Sequence, residues 1–330
     1  MQDMKRLGMT ALAALLLAGG LTACSRTPGG SSAPSGSAAP TQGKGTLRMG
    51  LEVEAGYTAD AEGAQLHALA AAVLVDGDGR ITACRLDEWE LDPKTENGVL
   101  ASVTDRRTKG ERGDSYGMKA ASPIGREWDE QVDAFCRYVV GKTADEVAAV
   151  PLQDGKAADT DLAASCTVTV TGFLRVTERA VRGAVPCDAA AADSLLLAVT
   201  TTQTGSGEET EYSSDIAAVA CDAGGRVTDC RLDTLPMALA LQNGLPVSGS
   251  GSYTTKRQKG DAYGMKAASP IGREWYEQAD TLQQALRGKT AEEIRAMPLQ
   301  DGKAADLKSG CTITVSGLLE TAVKALEQTR

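Results

Sequence analysis

YGMKAASPIGREW occupies residues 116–128 and recurs without change at 263–275. Outward from this string the correspondence continues. VDGDGRITACRLD (75–87) pairs with CDAGGRVTDCRLD (221–233), GKTADE (141–146) with GKTAEE (288–293), and PLQDGKAAD (151–159) with the same peptide at 298–306. CTVTVTGFL (166–174) pairs with CTITVSGLL (311–319), and the offset stays near 146, so one unit of roughly 135 residues is written twice. Units of that length suit two domains with a core each better than a solenoid of short repeats. The expected boundaries are 47–182 for the first module, 183–194 for an alanine-rich junction and 195–330 for the second.

Each module begins with strands and ends with helices. ALAAAVLVDGDGRITACRLDEWEL (68–91) holds two β-rich runs around Gly-Asp-Gly, which predicts a hairpin. Asp76 and Asp78 have turn chemistry rather than calcium spacing, because the second copy, Cys221-Asp222-Ala223-Gly224-Gly225, lacks the matching carboxylates. In the repeated string Ser122 suits a helix N-cap and Pro123 the first helical position, and Ile124, Trp128, Val132, Phe135 and Val139 then form one apolar stripe ending at Gly141. The second copy gives Ser269, Pro270, Ile271, Trp275, Ala279, Leu282 and Leu286 before Gly288. Capping boxes at Thr143–Glu146 and Thr290–Glu293 open short helices ending at Pro151 and Pro298. A last strand, CTVTV or CTITV, is expected to run into a closing helix through Thr171 or Ser316. The fold class is α+β: two tandem homologous modules, each an antiparallel sheet with helices packed on one side.

The N-terminus has a short basic start (Lys5, Arg6), an apolar run too short for a comfortable membrane span, and a small-residue site, which together predict an export signal over residues 1–23. Leu21-Thr22-Ala23-Cys24 resembles a bacterial lipobox, implying lipidation of Cys24; the competing reading is an ordinary cleaved signal. Residues 24–46, rich in Gly, Ser, Pro and Ala, read as a flexible tether. The expected location is the extracytoplasmic face of a bacterial cell membrane, held by lipid. A formal net charge of −10 argues against nucleic acid and against adhesion to anionic lipid heads.

Of the eight cysteines, Cys84 matches Cys230 and Cys166 matches Cys311, whereas Cys136, Cys187 and Cys221 have no counterparts. In an oxidising compartment this suggests one disulfide per module, Cys84–Cys166 and Cys230–Cys311, with buried free thiols as the alternative. His67 is the single histidine, so His-based triads and His-rich metal sites are not expected, and no P-loop, dinucleotide fingerprint or Cys-x-x-Cys is present. No nucleophile–base pair points to a hydrolase.

One segment carries chemistry. Asp306-Leu-Lys-Ser309-Gly310-Cys311-Thr312-Ile-Thr314, with Asp161-Leu-Ala-Ala-Ser165-Cys166-Thr167 in the first module, resembles the D-x-x-[ST]-G-A-T motif of the FMN-binding domain family. The Asp-Gly-Arg-Ile-Thr hairpin and the closing helix occur there in the same order, and the doubled, exported chain is similar to the two-domain flavin lipoproteins of extracellular electron transfer. The resemblance implies FMN as cofactor, carried through a phosphoester on Thr312 and Thr167, and a membrane flavin reductase and a flavin transferase as partners. It implies a redox carrier rather than a substrate-transforming enzyme. Cysteine replaces the family's alanine in both copies, and Ala164-Ser165 replaces Ser-Gly in the first, which favours Thr312 over Thr167.

Alternation along an extended segment would turn Thr312 and Thr314 outward and Cys311, Ile313 and Val315 inward. Small Ser309 and Gly310 would admit a phosphate to the backbone. A plain β-strand with Thr-x-Thr is the competing reading. Tyr116-Gly-Met118-Lys and Tyr263-Gly-Met265-Lys have no helical period to explain them, so this loop and the helix start at Ser122 or Ser269 are expected to wall the ligand. The alternative function is a flavin-free cell-surface binding or interaction lipoprotein with a degenerate motif.

Overall fold

The computed structural model describes residues 46–206 and 209–328. The expected export signal, most of the expected tether and the lipidation candidate Cys24 lie outside them. Three long strands open the first half: β1 (Arg48–Asp60), β2 (Gly63–Val75) and β3 (Ile81–Leu91). They are antiparallel neighbours in chain order. The β2–β3 turn is tied by Asp76, whose Oδ1 accepts from the backbone N–H groups of Asp78 (3.0 Å) and Arg80 (2.8 Å). Asp222 does the same for Gly224 and Arg226. Both turns thus use an aspartate as a backbone substitute. Helices α1 (Trp128–Val139), α2 (Ala144–Ala148) and α3 (Thr171–Arg182) follow.

The second half repeats this order with β4 (Ser194–Ser206), β5 (Glu209–Cys221), β6 (Val227–Gln242), a short β7 (Gly249–Tyr253), and helices α4 (Trp275–Leu286), α5 (Ala291–Arg295) and α6 (Ser316–Glu327). The architecture is therefore α+β, with antiparallel sheets and helices on one face of each.

The middle strands explain the layering. One face of β2, with Leu69, Ala71, Val73 and Val75, packs beneath Trp128, Val132, Phe135 and Val139 of α1 and Phe173, Leu174 and Val176 of α3. The apolar stripe expected of α1 is thus buried from Trp128 onward. The opposite face of β2, with Ala68, Ala70, Ala72 and Leu74, meets Leu195, Leu197, Ile216, Ala218 and Leu235 of the second sheet. A strand buried on both faces reads as an unbroken apolar run, as β2 does. The alanines keep its side chains short enough for a second sheet to lie close.

Each half buries a helix-facing cluster of its own, and this third core, shared between the two sheets, joins them. The described residues form one compact unit. β7, from the second half, pairs antiparallel with the edge of β1, Ala55 opposite Tyr253 through Ala59 opposite Gly249. Val185–Pro186, inside the expected junction, pairs with Arg48 and Met49 of β1. Trp89 Nε1 donates to Ser214 Oγ across the buried sheet–sheet interface at 3.1 Å.

Two expected elements differ. α1 and α4 start at Trp128 and Trp275, not after Ser122 and Ser269. Gly125 and Gly272 take positive φ (62° and 63°) and their N–H groups close turns on the carbonyls of Ser122 and Ser269, so the chain turns once more before the helix and Ile124 and Ile271 stay outside it. CTVTV and CTITV are not strands: no ladder forms, although Cys311, Ile313 and Val315 are buried and Thr314 is exposed as the alternation requires.

The expected disulfides are also absent: Cys84, Cys166, Cys230 and Cys311 are buried free thiols. Among the described residues no helix is long and apolar enough to cross a membrane.

Candidate functional site

In each half one glutamine joins the loop before the helix to the segment after it. Gln278 on α4 is fully buried. Its Oε1 accepts from the Thr312 backbone N–H at 2.8 Å and from Thr312 Oγ1 at 3.0 Å. Its Nε2 donates to Ser269 Oγ (3.2 Å), to the Arg273 carbonyl (3.0 Å) and, weakly, to Met265 Sδ (3.6 Å). Gln131 makes the same set with Thr167, Ser122, Arg126 and Met118 at 2.8 to 3.5 Å. This glutamine is the reason CTITV need not be a strand: it satisfies the Thr312 N–H that a ladder would otherwise take.

A carboxylate fixes the Tyr-Gly-Met-Lys loop. Glu274, buried just before α4, accepts from the backbone N–H groups of Met265 (2.9 Å) and Lys266 (2.9 Å). Glu127 does so for Met118 (2.8 Å) and Lys119 (3.0 Å). The same residues take part in reciprocal capping with Glu277 and Glu130. The helix N-termini therefore already face carboxylates, which corrects the expectation that the helix start at Ser122 or Ser269 offers an anion site. Neither Glu nor Gln stood out from its residue type. The signal was the identity of the repeat past its one mismatch, WDEQ against WYEQ.

Met265, Ser269 and Thr312 line one open cleft of about 330 Å³, together with Lys256, Trp275 and Lys303. Tyr263 is half-buried behind it, with Lys256 Nζ 5.7 Å from its ring centroid and 5.7 Å from that of Trp275. One lysine over two aromatic rings, with a second lysine and a thioether in the same lining, suits a planar ligand with an anionic end. Thr312 lines this cleft, and its Oγ1 has an acceptor in Gln278 Oε1.

Other predicted residues fall elsewhere. Asp306 lines a different cleft, and Ser309 is exposed. A Cβ on Gly310 would sit 2.7 Å from Thr281 Cγ2, so this glycine lets the turn pack on α4. Its N–H, like that of Cys311, donates to the Leu307 carbonyl. Those amides are occupied, which corrects the expectation of a phosphate cradle at Ser309 and Gly310. Asp161 lies exposed in the turn Thr160–Ala163, and the Ser165 hydroxyl donates to the carbonyls of Asp161 and Leu162.

The two halves differ in charge. Lys109, the counterpart of Lys256, is buried between Glu88 (2.7 Å) and Glu90 (2.8 Å), and lies near the rings of Tyr116 and Trp128. Burial alone would lower its pKa, but the two carboxylates raise it. The second half has Thr234 and Pro236 at those positions, so Lys256 lacks this pair of carboxylates.

Beneath each site lies a buried aspartate. Asp87 and Asp233 are both pushed up to about 6 by burial, against the hydrogen bonds they accept from Thr108 and Gly110 and from Thr255 and Arg257. Among the described residues no group of three or more His, Cys, Asp or Glu is arranged to hold a metal ion.

No protein-family model matches the chain, and no solved structure matches it. A chlorophenol reductase from Desulfitobacterium hafniense is 43% identical over 44 residues, 13% of this chain and 14% of that protein. The chain thus spans only a small part of that relative, and the likeness identifies a shared segment rather than a shared family.

Proposed function

We propose that the Thr312 cleft is a site for FMN, and that the chain is a lipid-anchored extracytoplasmic electron carrier in extracellular electron transfer. The observation that carries this reading is that Thr312, the residue to which the motif resemblance assigns the phosphoester, lines one cleft with Lys256, Lys303, Met265 and Trp275. The two lysines would offset phosphate charge, and Trp275 with Met265 would supply apolar wall. Gln278 Oε1 orients the hydroxyl and accepts its proton's hydrogen bond. Bound there, the flavin would supply reversible electron transfer, and the protein its orientation and surroundings. Anchoring would come from lipid on Cys24, with a membrane flavin reductase and a flavin transferase as partners. Thr167 is the weaker site, because Ala164-Ser165 departs from the motif and Lys109, the counterpart of Lys256, is paired with Glu88 and Glu90.

The test is expression of the full chain in an exporting host that has a flavin transferase, followed by absorbance and intact mass. A flavin adduct lost in Thr312→Val and retained in Thr167→Val is the expected result. A colourless protein without adduct rejects covalent attachment. If added FMN also fails to bind, the flavin reading falls and the flavin-free interaction lipoprotein replaces it.

A further inference from the structure

The repeat pairs Cys84 with Cys230 and leaves Cys136 without a counterpart, yet it is Cys136 that stands against Cys84. Cys84 is on the helix-facing side of β3, and Cys136 lies one turn beyond Val132 on α1, in the same buried cluster. The two side chains share this cluster and the lining of one cleft, and Cys84 together with burial pushes the Cys136 thiol well above the usual range. Both line the floor of an open cleft of about 450 Å³, rimmed by Thr82, Arg85, Asp133 and Arg137, so a small reagent can approach them. In the second half the position of Cys136 is Gln283, and Cys230 Sγ donates to the Gln283 carbonyl at 3.8 Å instead. The dithiol belongs to the first half alone.

We propose that Cys84 and Cys136 form a reversible intramolecular disulfide, joining β3 to α1. The oxidant is a disulfide, either a low-molecular-weight one or that of an oxidoreductase. One thiol loses its proton to water and its sulfur attacks the incoming disulfide, releasing one thiolate. The second cysteine, deprotonated in turn, displaces the other, so that two protein thiols and one external disulfide become one protein disulfide and two external thiols. Arg85 favours the thiolate at Cys136, and burial opposes it, so exchange is slow at neutral pH and faster as pH rises. The bond would fix the helix that also carries Gln131, and with it the Thr167 segment.

The full chain, held with oxidised glutathione at pH 8.5 and then alkylated in denaturant, tests this. Trypsin should release ITACR (81–85) joined to EWDEQVDAFCR (127–137), with two fewer alkylated cysteines and full reversal by dithiothreitol. Cys136→Ser should abolish the joined peptides, and the oxidised wild type should melt at a higher temperature than the reduced protein while Cys136→Ser shows no such difference. Joined peptides involving another cysteine, glutathione adducts alone, or unchanged thiols after prolonged exposure would each overturn the proposal.

Discussion

Replacing Gln278 by leucine should unfasten the candidate site while nearly preserving volume. Leucine cannot accept from the Thr312 N–H (2.8 Å) or Oγ1 (3.0 Å), nor donate to the Arg273 carbonyl (3.0 Å) or Ser269 Oγ (3.2 Å). The two hydroxyls are half-buried and can turn to water, so they cost little. The Thr312 N–H and the Arg273 carbonyl are backbone groups with no rotation available. A backbone group orphaned away from water costs about 1–3 kcal/mol, giving about 2–6 kcal/mol for the pair, the lower end if water reaches them. At about 2–4 °C per kcal/mol for a chain of this size class, the melting temperature should fall by roughly 4–24 °C. Urea unfolding gives the free energy, and amide exchange should accelerate at Thr312. A variant within about 0.5 kcal/mol of wild type, with Thr312 exchange unchanged, would refute the idea that this glutamine holds the segment, since ordinary surface changes fall in that range.

Two further outcomes follow from buried groups. Asp87 and Asp233 have folded-state values raised to about 6, above the unfolded value, so the native state holds more protons between roughly pH 4 and 6. Their contribution to stability is greatest below that window, falls as pH rises through it, and stays lost above it, by about 2–3 kcal/mol each. Asp233→Asn, which keeps an acceptor for Arg257 N–H and Thr234 N–H, should flatten this fall in urea titrations at pH 4.5 and 7; an unaltered slope would count against it. Gly50→Ala should destabilise by at least about 2 kcal/mol, because the new Cβ would lie 1.9 Å from the Ala180 carbonyl oxygen, where α3 crosses β1. A thermal melt equal to wild type would show that the helix can shift away.

Several features were legible in the sequence because they depend on neighbours in the chain. The turn aspartates Asp76 and Asp222, the capping boxes at Thr143 and Thr290, and the stripe from Trp128 to Val139 are local, and each stands where its pattern puts it. The helix start failed by five residues, because Ser-Pro is equally good at opening a turn, and the positive φ of Gly125 decided between them. The thiol partner of Cys84 failed for a different reason. Repeat logic assumes that both copies use a cysteine alike, and Cys136 replaces a glutamine that only one copy retains.

The sequence by itself determined the α+β class, the repeated peptides, and where the turns and caps fall. Only the tertiary structure decided that the halves share a core, because a face of β2 rich in alanine has no polar residue to mark whether helix or sheet will cover it. It also decided that Glu274 and Gln278 hold the Met265 loop and the Thr312 segment together. Those bonds join residues 8 to 34 positions apart, and hydrogen-bonding capacity carries no address until the chain has folded.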